Sequence, residues 1–156
     1  QILGAMDHSI VALSPCKVAF VSSADFERLT SGDSRLTRAL WWTTLVDEAV
    51  LREWVVNAGR RGAYQALAHL LCEMHFRMET VGLVTDGEEL PLPLTQEELS
   101  DALGITPVHT NRVLKKLRED NLITFVGKTL LIHDLAKLRK VAGFDREYLH
   151  IPEQLD

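Results

Sequence analysis

The chain of 156 residues is 46% hydrophobic and 25% charged with a net charge of −5, the profile of an ordinary globular protein with one or two cores. No apolar run approaches the ~20 residues that span a bilayer, and no charged stretch leads into an apolar one at the start, which argues against a membrane partner and predicts a cytoplasmic location. Cys16 and Cys72 stand alone without C-x-x-C spacing, a pattern that argues against a structural disulfide and cannot hold an iron–sulfur cluster unaided.

The chain starts at Gln1 and enters structured-looking sequence directly, from which we expect a piece of a longer protein. Ser9–Leu13 and Lys17–Val21 are β-rich runs parted by Ser14-Pro15-Cys16, and they are predicted as the last strands of a sheet. Asp25 to Leu29 reads as a short helix packing through Phe26 and Leu29, after which Ser31-Gly32-Asp33-Ser34 breaks and recaps the chain.

A long helix is predicted from about Arg35 to Asn57. Thirteen of the 21 residues from Leu36 to Val56 are apolar, Trp41, Trp42 and Trp54 among them, so the apolar surface exceeds one face and leaves room for a partner. Heptad spacing from Leu36 and Leu40 reaches Thr43, Asp47, Val50 and Trp54 and is imperfect, with Asp47 placed at or near the seam; Leu51 joins these six as a candidate dimerisation residue. Ala58-Gly59-Arg60-Arg61-Gly62 then predicts a hinge. A second helix, Ala63 to Met78, follows with Leu67, Leu70, Leu71, Met74 and Met78 inward. His69 and Glu73 on it have the i, i+4 spacing of a metal pair but no third ligand on the same face, so the structural reading is preferred.

Thr80 to Glu89 reads as a polar linker, and Leu90-Pro91-Leu92-Pro93-Leu94 should be extended and add a strand to a following hairpin. Thr95, three residues before Glu98, is the pattern of a capping box and starts a helix over Gln96–Leu103 with Leu99, Ala102 and Leu103 at helical spacing. Gly104 ends it. Thr106-Pro107 begins the next helix. Val113, Leu114 and Leu117 form its buried stripe, while His109, Asn111, Arg112, Lys115, Lys116 and Arg118 make a polar, basic face. Two short helices around a three-residue turn, the second basic, have the shape of a helix-turn-helix with its recognition helix. Leu122–Val126 and Thr129–Ile132 flank Gly127-Lys128 as a β-hairpin, the wing, with Lys128 at its tip. Asp134 should cap a last helix, Leu135 to Val141, ended by Gly143. The acidic tail, 144–156, lacks periodicity.

The stretch LTQEELSDALGITPVHTNRVLKKLREDNLITFVGKTLLI resembles the DNA-binding domain of the CRP/FNR family of bacterial transcription regulators, and the resemblance extends over roughly Gly4 to Arg139. It implies a fold that is mainly α with small β (α+β): residues 1–30 as the remnant of an N-terminal sensory β-roll, 31–58 as a dimerisation helix, 59–143 as the winged helix-turn-helix and 144–156 as a tail. It also implies a homodimer on double-stranded DNA, with RNA polymerase as a further partner. The family's base-reading positions fall on Pro107, Val108 and Arg112. Neither Pro107 nor Val108 can hydrogen-bond a base through its side chain, so base reading is assigned to Val108, His109, Asn111 and Arg112. Gln96, Thr106, Lys115, Lys116 and Lys128 are assigned to the DNA backbone. Where cyclic-nucleotide-binding members place a phosphate-gripping Arg, this chain has Met6-Asp7, which argues against cAMP or cGMP as effector. No cofactor or effector is named by the sequence.

Charge by region agrees with this division. Residues 94–143 hold eight Lys+Arg against six Asp+Glu, whereas the rest of the chain is net acidic; phosphate affinity follows the local patch and not the total. The alternative function is a ligand-sensing or protein-interaction module whose helix-turn-helix no longer binds DNA. No G-x-S-x-G, phosphate loop or metal triad suggests an enzyme.

Overall fold

A computed structural model describes residues 8–84 and 89–151. Six α-helices, a three-stranded sheet and a terminal 3-10 turn follow one another along the described chain, which divides between Glu48 and Ala49 into two units. None of the described helices is long and apolar enough to cross a membrane.

The first unit holds α1 (Ser23–Gly32) and the start of α2 (Ser34–Arg60). Ser22 caps α1 by accepting from the Asp25 N–H, and Asp33 caps α2 by accepting from the N–H of Arg35. The strands expected over Ser9–Leu13 and Lys17–Val21 do not form. A strand needs a neighbour for its N–H and C=O groups, and no described segment pairs with these. Their apolar side chains stay in water, Phe20 at 95% exposure, and Phe26 and Leu29 are also exposed instead of packed. The position of Met6-Asp7 lies outside the described residues.

α2 runs three residues further than predicted, to Arg60, so Gly59 is helical and the break is confined to Arg61-Gly62. One glycine inside a long helix costs only ~1 kcal/mol relative to alanine. Of the candidate dimerisation residues, Thr43, Asp47 and Leu51 are exposed, Leu36, Leu40 and Val50 half-buried, and Trp54 packs against the core of its own domain.

The second unit is built around α3 (Ala63–Thr80), whose buried residues include Leu67, Leu70, Leu71 and Cys72. Burial pushes the Cys72 thiol up to about 12, so it is an inert part of the core. α3 packs against α4 (Gln96–Leu103), α5 (Pro107–Glu119) and α6 (Leu135–Ala142). The sheet is antiparallel in the order β1 (Glu89–Pro91), β3 (Thr129–Ile132), β2 (Ile123–Val126), with Leu90 opposite Leu130 and Phe125 also opposite Leu130. The proline-rich segment therefore adds the strand the sequence predicts. Leu90, Leu92, Leu117, Leu122, Ile123, Leu130 and Leu138 close the core. The tail departs from expectation: Arg146–Leu149 is a 3-10 turn whose Leu149 is buried. Periodicity cannot reveal a four-residue turn held by distant partners.

Candidate nucleic-acid interface

Local sequence chemistry sets the two helices. The Thr95 hydroxyl accepts from the Glu98 N–H while the Glu98 carboxylate accepts from the Thr95 N–H, a complete capping box. The Thr95 N–H holds the Glu98 carboxyl below its usual range. Gly104 ends α4 at φ +63°, in the left-handed region that other residues enter at a cost of about 1–2 kcal/mol. Thr106 caps α5 by accepting from the His109 N–H, with Pro107 in the first turn.

The crossing of α4 and α5 is pinned by polar contacts that periodicity does not reveal. Buried Ser100 donates to buried Thr110 at 2.8 Å or to the Gln96 carbonyl at 2.5 Å, and the Thr110 hydroxyl lies 3.3 Å from the Thr106 carbonyl. Ser100 and not Ala102, which is exposed, fills the inner face beside Leu99. At the solvent edge, Asn111 donates to Gln96 at 3.2 Å. The far end of α5 is tied to the first turn of α3, where the Tyr64 hydroxyl donates to Asp120 at 2.5 Å and Lys116 donates to the other carboxylate oxygen at 2.7 Å. Lys116 and Tyr64 hold the Asp120 carboxyl below its usual range, and burial together with that carboxylate pushes the Tyr64 hydroxyl up to about 12. The i, i+4 spacing of Lys116 and Asp120 was readable. Tyr64 lies 56 residues from Asp120 and gave no local signal.

What remains on the outer face of α5 is Val108, 72% exposed, with His109, Asn111, Arg112, Lys115 and Arg118. Lys115 lies 3.7 Å from Glu119, while Arg112, Arg118 and Lys128 make no ion pair among the described residues. Gly127, at φ +61°, turns the hairpin and leaves Lys128 exposed. A groove of about 270 Å³ joins α4, α5 and the hairpin, lined by apolar Leu94, Leu99, Leu114 and Phe125 and by exposed Gln96, Arg118 and Lys128. The sequence-assigned backbone set, Gln96, Thr106, Lys115, Lys116 and Lys128, is thus exposed, with Lys116 already engaged by Asp120.

His69 and Glu73 are structural in this fold. Both are buried, His69 beside Asn57 and Glu53, and Glu73 bonded by Arg77 and Tyr148.

Residues 65–141 match the model of the Crp-like helix-turn-helix domain family. The transcriptional activator protein FnrL of Cereibacter sphaeroides is 30% identical over 125 residues, covering 78% of this chain and 50% of that protein. The nitrogen fixation regulation protein FixK of Bradyrhizobium diazoefficiens is 24% identical over 143 residues, covering 92% of this chain and 60% of that protein. The structure of FixK2 from Bradyrhizobium japonicum superposes with a TM-score of 0.68 at 24% identity, covering 78% of this chain and 59% of that one, a likeness of fold. The chain thus spans between half and three-fifths of the length of these relatives. With its capped two-helix motif, its wing and these matches, the chain belongs to the CRP/FNR family of transcription regulators.

Proposed function

We propose that the chain binds a near-palindromic operator as a homodimer, under the control of a sensor domain on the N-terminal side of α2. The observation that carries this reading is the exposed front of α5. There Val108, His109 and Arg112 stand together on a helix fixed at both ends, with Arg112 in no ion pair among the described residues. A guanidinium so placed can make two parallel hydrogen bonds to guanine O6 and N7, worth ~1 to 3 kcal/mol against the wrong base. Val108 offers a methyl contact to thymine. His109 and Asn111 supply polar groups, although Asn111 must share its amide with Gln96.

The backbone-holding set is Gln96, Thr106, Lys115, Lys116 and Lys128. Thr106 uses its oxygen as a cap and keeps its hydroxyl proton for a phosphate. A phosphate must compete with Asp120 for Lys116 but meets no such rival at Lys128. The apolar exposed surface of α2, including Trp41, Leu45 and Leu51, supports dimerisation through that helix. RNA polymerase is the further partner of this reading. In sequence, Met6-Asp7 falls where the family's cyclic-nucleotide-binding members carry a phosphate-gripping Arg, which speaks against cAMP or cGMP as effector.

The test is a titration of the full-length protein and two variants on operator and scrambled DNA at several salt concentrations. Arg112→Ala should lose affinity mainly for the operator and flatten the preference for one guanine per half-site, with half-sites roughly 34 Å apart. Lys128→Ala should weaken both DNAs alike and lower the salt slope by about one. If full-length protein prefers no genomic fragment in a gel shift, the reading fails in favour of a sensing or interaction module. Pro107 and Val108, which cannot hydrogen-bond bases, are the features behind that second reading.

A further inference from the structure

No packing at its glycines sets the angle of the elbow between α2 and α3. A Cβ added at Gly59 or Gly62 would meet nothing within 4 Å. Side chains hold it instead. Glu53 and Asn57 lie one turn apart on α2, and Arg61 donates to both, at 2.6 Å to a Glu53 carboxylate oxygen and at 3.0 Å to the Asn57 amide oxygen. With its oxygen so occupied, Asn57 turns its NH2 to His69 Nδ1 at 3.1 Å. His69 Nδ1 is therefore the acceptor, and its proton sits on Nε2, 3.3 Å from Glu53. The imidazole is fully buried and neutral, held below its usual range chiefly by burial and by Arg61.

The rest of the cage around His69 comes from the far end of the chain. Tyr148 stacks on the imidazole at 5.9 Å and 20°, and Phe144 meets it edge-on at 5.4 Å, while Trp54 of α2 approaches at 6.5 Å. The Tyr148 hydroxyl donates to Glu73 at 2.8 Å, whose other oxygen accepts from Arg77. Arg61 and Gln65 also reach the carbonyls of Gly143 and Ala142, each at 3.4 Å.

We propose that residues 144–149 are a clasp that fixes the α2–α3 elbow, with His69 as its pin, making Tyr148 and His69 positioning residues for the helix-turn-helix. His69 Nε2 faces Glu53 without a hydrogen bond of good geometry, but Arg61, Asn57, His69 Nδ1, Tyr148 and Glu73 are each paired, and such a network favours one geometry over its neighbours because a shift leaves a donor or acceptor unpaired. An apolar elbow of equal volume would slide more freely. The segment thus acts through the joint.

The experiment uses spin labels at Val55→Cys on α2 and Ala136→Cys on α6, both exposed, in a Cys16→Ser background of the full-length protein, diluted with unlabelled chain. Electron–electron double resonance should give one narrow distance distribution. Tyr148→Ala should broaden it at least twofold while amide exchange in α4 and α5 stays as in the parent, and Tyr148→Phe, which keeps the ring and loses the Glu73 bond, should broaden it less. If Tyr148→Ala does not fold, Tyr148→Phe and His69→Gln carry the test. Wild-type distributions in the folded variants overturn the clasp. The distances need no DNA, so they stand apart from the reading of function on which the positioning role rests. Operator affinity unchanged in a variant with a broadened elbow removes the positioning role.

Discussion

α2 and α3 are both long helices rich in apolar residues, yet they end in opposite environments. α3 buries ten of its 18 residues, whereas α2, at 27 residues with three tryptophans, buries only Ala49 and Asn57. The difference lies in their company. α4, α5 and α6 fold back onto α3, while α2 leaves Trp41 at 66% and Val55 at 70% exposure. Apolar content decides that a helix has a face to bury; only tertiary neighbours decide whether it is buried within the chain.

The sharpest way to break this contrast is to truncate one leucine on each helix. Leu71→Ala should cost ~2–5 kcal/mol in urea unfolding, since it empties a site with no exposure. Leu51→Ala should stay within about 0.5 kcal/mol in dilute protein. A Leu51→Ala cost that grows with protein concentration would identify a second chain as the missing neighbour of α2, and equal costs in dilute protein would erase the contrast. Next come the tryptophans. Trp54→Ala, which strips a half-buried ring from the core and from His69, should cost about 1.5–3 kcal/mol, and Trp41→Ala should be nearly silent in the same transition. The smallest effect ties the two helices together. His69 in the fold titrates below its usual 6.5, so between that value and the folded one the unfolded chain binds more protons. Its contribution to stability is complete above pH 6.5 and is lost as pH falls below it. Glu53 and Glu73 oppose the shift and Arg61 favours it. The slope should be under one proton, less than ~1.4 kcal/mol per pH unit, and His69→Gln should flatten it. An unchanged slope in that variant would place the titration elsewhere.

The stretch from Thr95 to Ile132 was legible because each of its signals is local. A capping box spans three residues, Thr106-Pro107 two, and the Gly127 hairpin needs only β-rich runs on either side. β1 was legible too, because Pro91 and Pro93 leave little but extended backbone. What escaped reading depends on residues far apart. Ser100 looks like a surface serine until Thr110 arrives beside it, and Tyr148 in an acidic tail looks solvated until α3 brings Glu73 within 2.8 Å. The β-rich runs at Ser9–Leu13 and Lys17–Val21 failed for the converse reason: propensity names a strand, but pairing makes one. Gly59 failed because one glycine costs a helix too little to end it, and α2 runs one residue past it, to Arg60.

The capping box also bears on how quickly a protein reading DNA as proposed would find its site. Glu98, at the entrance of α4, is held below its usual range first by the Thr95 N–H and least by Lys128 of the wing. It keeps an anion beside the surface proposed to meet phosphate. Sequence-independent affinity grows with each cation that displaces a counterion, and of the three lysines proposed for phosphate, Lys116 is shared with Asp120 and Lys115 lies near Glu119, so a domain with so few free cations would grip random DNA weakly. Short dwell times on wrong sequences follow. Such a domain searches by frequent release and rebinding more than by long sliding, and it leans on the bases under α5 to hold it once it arrives.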